Sequence, residues 1–412
     1  MGASSHKPRI ALVLSGGAAR GAYEAGVLRY LRDYLHKETG VHARFDILCG
    51  SSVGALNACF LAALAHRPDE QGELLVRRWA SLKIDDVLRL RTTDLMRFVR
   101  SLMGMGPSPM DMHRHGGLID PEALEQLVLD GGPWSFIPRN VASGKIMALS
   151  VSCTHVSSGH TVVFVQRADG SIPAWSSDPF VHAMSAKIRP QHALASAAIP
   201  VLFPAVSIDG QYYCDGGLRQ NTPLSPALRL GAERVLVISL RHIPDEGERT
   251  ERVSIGAGLF DEPPSPYFLF GKVINALWLD HVDYDLDRLR RTNAVLDAGI
   301  RAFGPDFAAK LNGALVTNGA QPLRGIQELR VQPSRDIGSM GVAYARSEGF
   351  LSRVSGIAGT VLRRMVTSEG SGDTDLLSYL LFDGGFAEQL IELGIEDGRA
   401  MRDQLARFFD GG

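Results

Sequence analysis

Apolar residues in this chain come in short continuous runs, each closed by glycine and followed by a stretch with helical spacing. Ile10-Ala11-Leu12-Val13-Leu14 ends at Ser15-Gly16-Gly17, and residues 22–35 then set Tyr23, Val27, Leu28, Leu31 and Leu35 at helical intervals. A run this short, bounded by glycine, predicts a strand buried on both faces. Phe45-Asp46-Ile47-Leu48 opens a second unit of the same kind, with a turn at Cys49-Gly50-Ser51-Ser52-Val53-Gly54 and a helix from Ala55 to Leu64. Two strand–turn–helix units in succession predict an α/β fold with a parallel sheet and helices on its faces. Residues 146–151, 161–165 and 235–239 read as further strands, so the sheet is expected to have five or more. Gln211–Asp215 follows the turn Ile208-Asp209-Gly210 and reads as the return strand of a hairpin.

The rest of the chain is less regular. Residues 83–117 mix Leu95, Met96, Phe98, Val99, Met103 and Met105 with Arg89, Arg91, Arg97 and Arg100. Such a methionine-rich, locally basic stretch fits a lid over an apolar pocket, and it equally fits a helix pair packed in the core. Residues 245–267 are rich in charge, Gly and Pro and predict a surface connection. Residues 268–309 look helical, and Glu369-Gly370-Ser371-Gly372-Asp373 is a flexible break before an amphipathic stretch at 376–409. The expected division is therefore a catalytic unit over 8–245 and a mainly helical extension over 246–412.

Composition narrows the class. Of 412 residues 45% are apolar and 21% charged, as in a folded enzyme, and a net charge of -2 removes a nucleic-acid binder that works by neutralising phosphates. Cys49, Cys59, Cys153 and Cys214 lie in apolar segments without C-x-x-C spacing, which points to buried free thiols rather than disulfides or a zinc site. The first apolar run is too short for a secretory signal, His6 stands where a myristoylation site needs Ser or Thr, and no stretch is long enough to span a bilayer. The expectation is a cytoplasmic protein, peripheral at a membrane where it meets one.

The chemistry concentrates at two turns and one strand end. Gly50-Ser51-Ser52-Val53-Gly54 is G-x-S-x-G between a strand and a helix, the setting of a nucleophile elbow, which makes Ser52 the candidate nucleophile. Gly50 and Gly54 leave the backbone free to cross closely at the sharp turn. An attacked ester develops an oxyanion that needs preorganised donors, and the turn Ser15–Gly21, opening a helix, offers the N–H groups of Gly16, Gly17 and Ala18. The same turn fails the dinucleotide pattern, because Ala18 replaces the central glycine and the second strand ends without an acid. Asp215, at a strand end before Gly216-Gly217, is the candidate base. His242 and His281 are the remaining candidates, and neither has a recognisable third partner. Asp111, His113 and His115 alternate like metal ligands but lack a fourth, so no metal is expected.

Three ordered motifs, Leu14–Ala22, Gly50–Ala58 and Asp215-Gly216-Gly217, resemble those of the patatin-like phospholipase family. Ala195-Ser196-Ala197-Ala198-Ile199-Pro200 and Asn221-Thr222-Pro223-Leu224 resemble it too, and the similarity covers roughly residues 8–245. The resemblance implies a three-layer α/β/α fold with a mostly parallel central sheet. It also implies a Ser52–Asp215 dyad with no catalytic histidine, metal or cofactor. Val53 joins Gly16, Gly17 and Ala18 as an expected oxyanion donor, and Arg20, Gly21, Gly50, Gly54, Gly216 and Gly217 match supporting positions of the motifs. The family's turn usually reads Gly-Gly-Gly, whereas the third position here is Ala18, whose N–H can serve if its φ is negative. Arg20 is expected to fix the turn rather than to meet a substrate phosphate.

The activity implied is hydrolysis of lipid esters, glycerophospholipids or lysophospholipids, through an acyl-serine intermediate during transient contact with a membrane surface. A short-chain carboxylesterase and a non-catalytic lipid binder are the rival readings.

Overall fold

Ile10–Leu14 forms β1 with every residue buried. Its alternate side chains enter two different cores: Ile10, Leu12 and Leu14 face one, Ala11 and Val13 the other. That double burial is why the run is apolar without alternation. The computed structural model describes residues 7–87, 121–129, 132–173, 175, 178–244, 282–318, 322–351 and 374–410.

Nine strands form one sheet in the order β5-β4-β3-β2-β1-β8-β9, with β7 added to β3 and β6 to β7. They are β2 Ile47–Ser51, β3 Ala148–His155, β4 Thr161–Arg167, β5 Val181–Ser185, β6 Val206–Ile208, β7 Gln211–Asp215, β8 Arg234–Ile238 and β9 Gln327–Val331. The central run β3-β2-β1-β8-β9 is parallel throughout, while β4 and β7 pair with β3 antiparallel. The hairpin of β6 and β7 turns at Asp209 and Gly210, both with positive φ (48° and 80°), as a tight two-residue connection requires.

Helices cover both faces. On one lie α1 (Gly21–Arg29), α2 (Val53–Ala63) and α3 (Pro68–Ala80), and on the other the short helix Leu224–Arg229 and α4 (Val282–Phe303) contribute Leu224, Leu286 and Leu289. The result is a three-layer α/β/α fold with a mostly parallel central sheet. Continuing α1, residues 30–34 make a wider turn before Leu35–Thr39 completes the expected helix.

The C-terminal region is built into this frame. β9 extends the sheet beside β8, and α5 (Gly384–Ala400) lies against α1 with Gly394 so close that a Cβ there would stand 2.4 Å from the Tyr23 carbonyl oxygen. Tyr23 Oη also donates to Asp397 at 2.9 Å. β9 was not foreseen because Gln327-Glu328-Leu329-Arg330-Val331 alternates charges with apolar residues, and those charges are paired: Arg290 with Glu328 at 2.6 Å, and Arg330 with Asp283. All four cysteines are buried and free. No helix among the described residues is long and apolar enough to cross a membrane. Of the possible lid at 83–117, only residues 83–87 are described, with Ile84–Val87 helical; residues 88–117 lie outside, as do Asp111, His113, His115, His281, the connection at 245–267 and the break at 369–373.

Candidate active site

The sheet brings Ser52 and Asp215 together by using β3 as a shared rail. β2 runs along β3 until Ser51 pairs with Ser152, and β7 arrives from the opposite direction so that Asp215 pairs with Cys153, the next residue on β3. Two strand ends thus meet head to head. At the junction Ser52 Oγ donates to Asp215 Oδ2 at 2.6 Å, and Gly217 N donates to Oδ1 at 2.6 Å. Gly216 is needed for the approach, since a Cβ there would sit 2.1 Å from the Ser152 carbonyl oxygen.

Ser52 occupies a strained backbone conformation, φ 52° and ψ −126°, between β2 and α2. The flanking glycines make it possible. A Cβ on Gly50 would lie 2.3 Å from the Gly54 carbonyl oxygen, and one on Gly54 would lie 2.4 Å from that of Leu14. The Ser52 N–H donates to Ser196 Oγ at 2.9 Å, and Ser196 donates onward to the Ser152 carbonyl at 2.6 Å. Ser196 lies in the segment Ala195–Pro200, and its hydrogen bond to the elbow, 144 positions away, has no mark in the sequence.

Asp215 is fully buried, and burial raises its carboxyl from the ordinary value to about 7, against the opposing hydrogen bonds from Ser52 and Gly217. A carboxylate with that affinity for a proton is a far better base than an exposed one. His242, an alternative base, instead has Nδ1 2.9 Å from the Pro333 carbonyl oxygen, on the far side of β8.

The glycine turn lies beside Ser52, with two departures from expectation. Gly16 is not a free donor: its N–H donates to the Asn221 carbonyl at 2.9 Å, and Asn221 Nδ2 returns a bond to the Gly16 carbonyl at 3.1 Å. Gly16 is required instead for space, because a Cβ there would fall 2.2 Å from Asn221 Oδ1 and 3.0 Å from Ser52 Cβ. Ala18 has φ +49°, so its N–H is presented from the left-handed region rather than from negative φ. Among the described residues, the N–H groups of Gly17, Ala18 and Val53 have no protein acceptor. Ser15, one residue before, is fixed by a 2.7 Å bond between its hydroxyl and that of Thr222 and a 3.0 Å bond to the Ile238 carbonyl.

Behind the turn lies a buried polar relay. Asn57 Nδ2 donates to Glu24 Oε2 at 2.8 Å and to the Gly21 carbonyl at 3.2 Å, while Trp79 Nε1 donates to Asn57 Oδ1 at 3.2 Å. Glu24 is fully buried, which pushes its carboxyl well above the ordinary range. Arg20 reaches outward: its Nε donates to Ser378 Oγ at 2.8 Å and its guanidinium stacks 3.9 Å over the Tyr379 ring. These two residues belong to a helix that the sequence reading did not connect to the site.

Ser52, Ala18 and Val53 form part of the wall of one pocket whose remaining lining is mostly apolar, including Leu56, Phe60, Trp79, Trp134, Phe203 and Phe382. A chain of methylene groups would bury its surface there without stranding polar groups.

Residues 12–228, just over half of the chain, match the family described as patatin-like phospholipase. The chain is 30% identical over 221 residues to calcium-independent phospholipase A2-gamma of Mus musculus, covering 53% of this chain and 25% of that protein. It is 25% identical over 241 residues to an uncharacterized NTE family protein of Mycobacterium bovis, covering 57% of this chain and 50% of that protein. A solved structure, human GIVD cytosolic phospholipase A2 in complex with methyl gamma-linolenyl fluorophosphonate, gives a TM-score of 0.40 at 11% identity and covers 98% of this chain and 58% of that one. The chain spans between a quarter and half of the length of the two relatives matched by sequence.

Proposed function

The chain belongs to the patatin-like phospholipase family, and from that premise we propose that it hydrolyses ester bonds of glycerophospholipids or lysophospholipids with Ser52 as nucleophile and Asp215 as base. The observation that carries the reading is the 2.6 Å contact of Ser52 Oγ, itself at the wall of an apolar pocket, with the buried Asp215.

As Oγ attacks the acyl carbon, its proton passes to Asp215 Oδ2, and the carbonyl oxygen becomes an anion facing the N–H groups of Gly17, Ala18 and Val53. Collapse breaks the bond to the alcohol, which leaves with the proton held by Asp215. Water then gives a proton to Asp215 and attacks the acyl-Ser52 carbon, and Ser52 recovers its hydrogen as the fatty acid departs. The base is matched to neutral pH because burial holds its carboxyl at about 7.

The apolar lining favours a long acyl chain over a short one, since each buried methylene contributes about 0.8 kcal/mol. Three measurements separate the readings. Fatty acid and lysolipid release from vesicles of mixed phospholipids, resolved by mass spectrometry, is expected from the wild type and lost in Ser52→Ala and Asp215→Asn. Highest turnover on the shortest of a graded ester series would point to a carboxylesterase. A folded protein that a fluorophosphonate probe leaves unlabelled at Ser52 would point to a lipid binder without catalysis.

A further inference from the structure

We infer that the C-terminal helix Thr374–Leu380 is a working part of the active site, with Ser378 and Tyr379 as positioning residues that hold the Gly17 and Ala18 N–H groups beside Ser52 by gripping Arg20. The inference rests on the reading of Ser52 as nucleophile and adds to it a part of the chain far outside residues 12–228, the span that matches the family.

Ala18 is the reason a grip is needed. At φ +49° an L-residue is strained, and such a conformation persists only where its surroundings over-determine it. The turn itself is tight, since Arg20 N donates to the Gly17 carbonyl at 3.0 Å and Gly21 N to that of Ala18. Fixing the side chain of Arg20 therefore fixes the two peptides that precede it. Arg20 is 6% exposed, and Ser378 and Tyr379 are buried at 0% and 7%, so water offers the guanidinium little substitute for these contacts. A guanidinium stacked on a ring and bonded through Nε is held in both direction and plane.

The holders are themselves held. Gly341, in the helix Ile337–Ala345, lets that helix approach so closely that a Cβ on Gly341 would lie 2.9 Å from Ser378 Cβ. Two residues beyond the helix, Phe382 lines the pocket that contains Ser52. Asp383 follows, accepting from Gly385 N at 3.1 Å at the start of α5, which packs on α1 directly after the turn. The same short segment thus borders the acyl pocket and anchors the donors.

The test uses the whole chain with Ser378→Ala and Tyr379→Leu, each alone and each combined with Ala18→Gly, which accepts positive φ without strain. Turnover of phospholipid vesicles gives kcat and KM, and amide hydrogen exchange over residues 16–21 is read on the same samples. Each single variant is expected to lower kcat at least about tenfold while KM stays within about twofold, because misplaced donors weaken the transition state and not binding. Exchange over the turn should rise, and Ala18→Gly should restore most of the lost kcat. Unchanged kcat and unchanged exchange overturn the inference. So does a loss that Ala18→Gly does not restore and that comes with general unfolding, since that marks packing alone. Should the wild type show no Ser52-dependent hydrolysis, the functional reading fails, while the exchange data still decide whether the helix positions the turn.

Discussion

Ser196 holds Ser52 from behind: its Oγ accepts the Ser52 N–H at 2.9 Å and donates to the Ser152 carbonyl at 2.6 Å. The hydroxyl thereby bridges the N–H of the strained elbow to the Ser152 carbonyl of β3. Ser196→Ala strands both groups in the interior, which costs about 2 kcal/mol. Expected outcomes are a lower midpoint in urea and a fall in kcat, with fluorophosphonate labelling of Ser52 slowed but not abolished. An unchanged urea midpoint would show that the elbow does not depend on this bond.

Asp215 sets the pH dependence. Its folded value of about 7 means that the base is protonated below neutrality, so kcat/KM should rise as pH passes through about 7 and level off above it. The sign for stability is opposite. The unfolded carboxyl titrates near its ordinary value, so between there and pH 7 the folded state holds the extra proton, and stability falls as pH rises across that window. The gap corresponds to at most about 4 kcal/mol. Asp215→Asn removes it: the variant should be inactive yet melt higher than the wild type at pH 8, with the difference shrinking towards pH 4. Thermal melts at the two pH values check this, and a variant less stable at pH 8 would contradict the burial argument.

Gly54 tolerates no side chain. A Cβ there meets the carbonyl oxygens of Leu14 and Ser15 at 2.4 and 2.7 Å, and these are backbone atoms at the end of the central strand that cannot rotate away. Gly54→Ala should therefore fail to give folded protein, as judged by circular dichroism and by loss of two-state unfolding. At Gly40, with φ +77° and nothing within reach of a Cβ, alanine should cost only about 1 kcal/mol. The contrast between the two separates collision from backbone preference.

The elements most legible in the sequence are those whose burial leaves no choice of residue. β1, β2 and β8 are apolar because both faces are covered, and the glycines of the elbow are visible because a Cβ would strike backbone. The meeting of Ser52 and Asp215 has a different cause. It depends on two strands ending against consecutive residues of β3, a relation that neither segment carries alone. The same limit hid the occupation of the Gly16 N–H by Asn221, 205 positions away, and the seat of Arg20 on a helix 358 positions away. The sign of φ at Ala18 was beyond pattern reading as well, because alanine is neutral about its context until the turn around it is known. β9 stayed hidden because its charges, Glu328 and Arg330, find their partners on α4, at Arg290 and Asp283, at the margin of the sheet.

Leu56 lies one helical turn beyond Ser52 on α2 and forms part of the pocket wall. A tryptophan there would occupy the space nearest the nucleophile that the first methylenes of a long chain would otherwise take. Leu56 is partly exposed, so the larger ring can be accommodated without the overpacking strain of a closed core. Leu56→Trp should shift the preferred ester towards shorter acyl chains, lowering kcat/KM for the longest substrates about tenfold or more while the shortest change little. The length profile of kcat/KM over a graded ester series is the measurement. A uniform loss at every length would indicate damage to the elbow, and an unchanged profile would mean that acyl chains bind elsewhere.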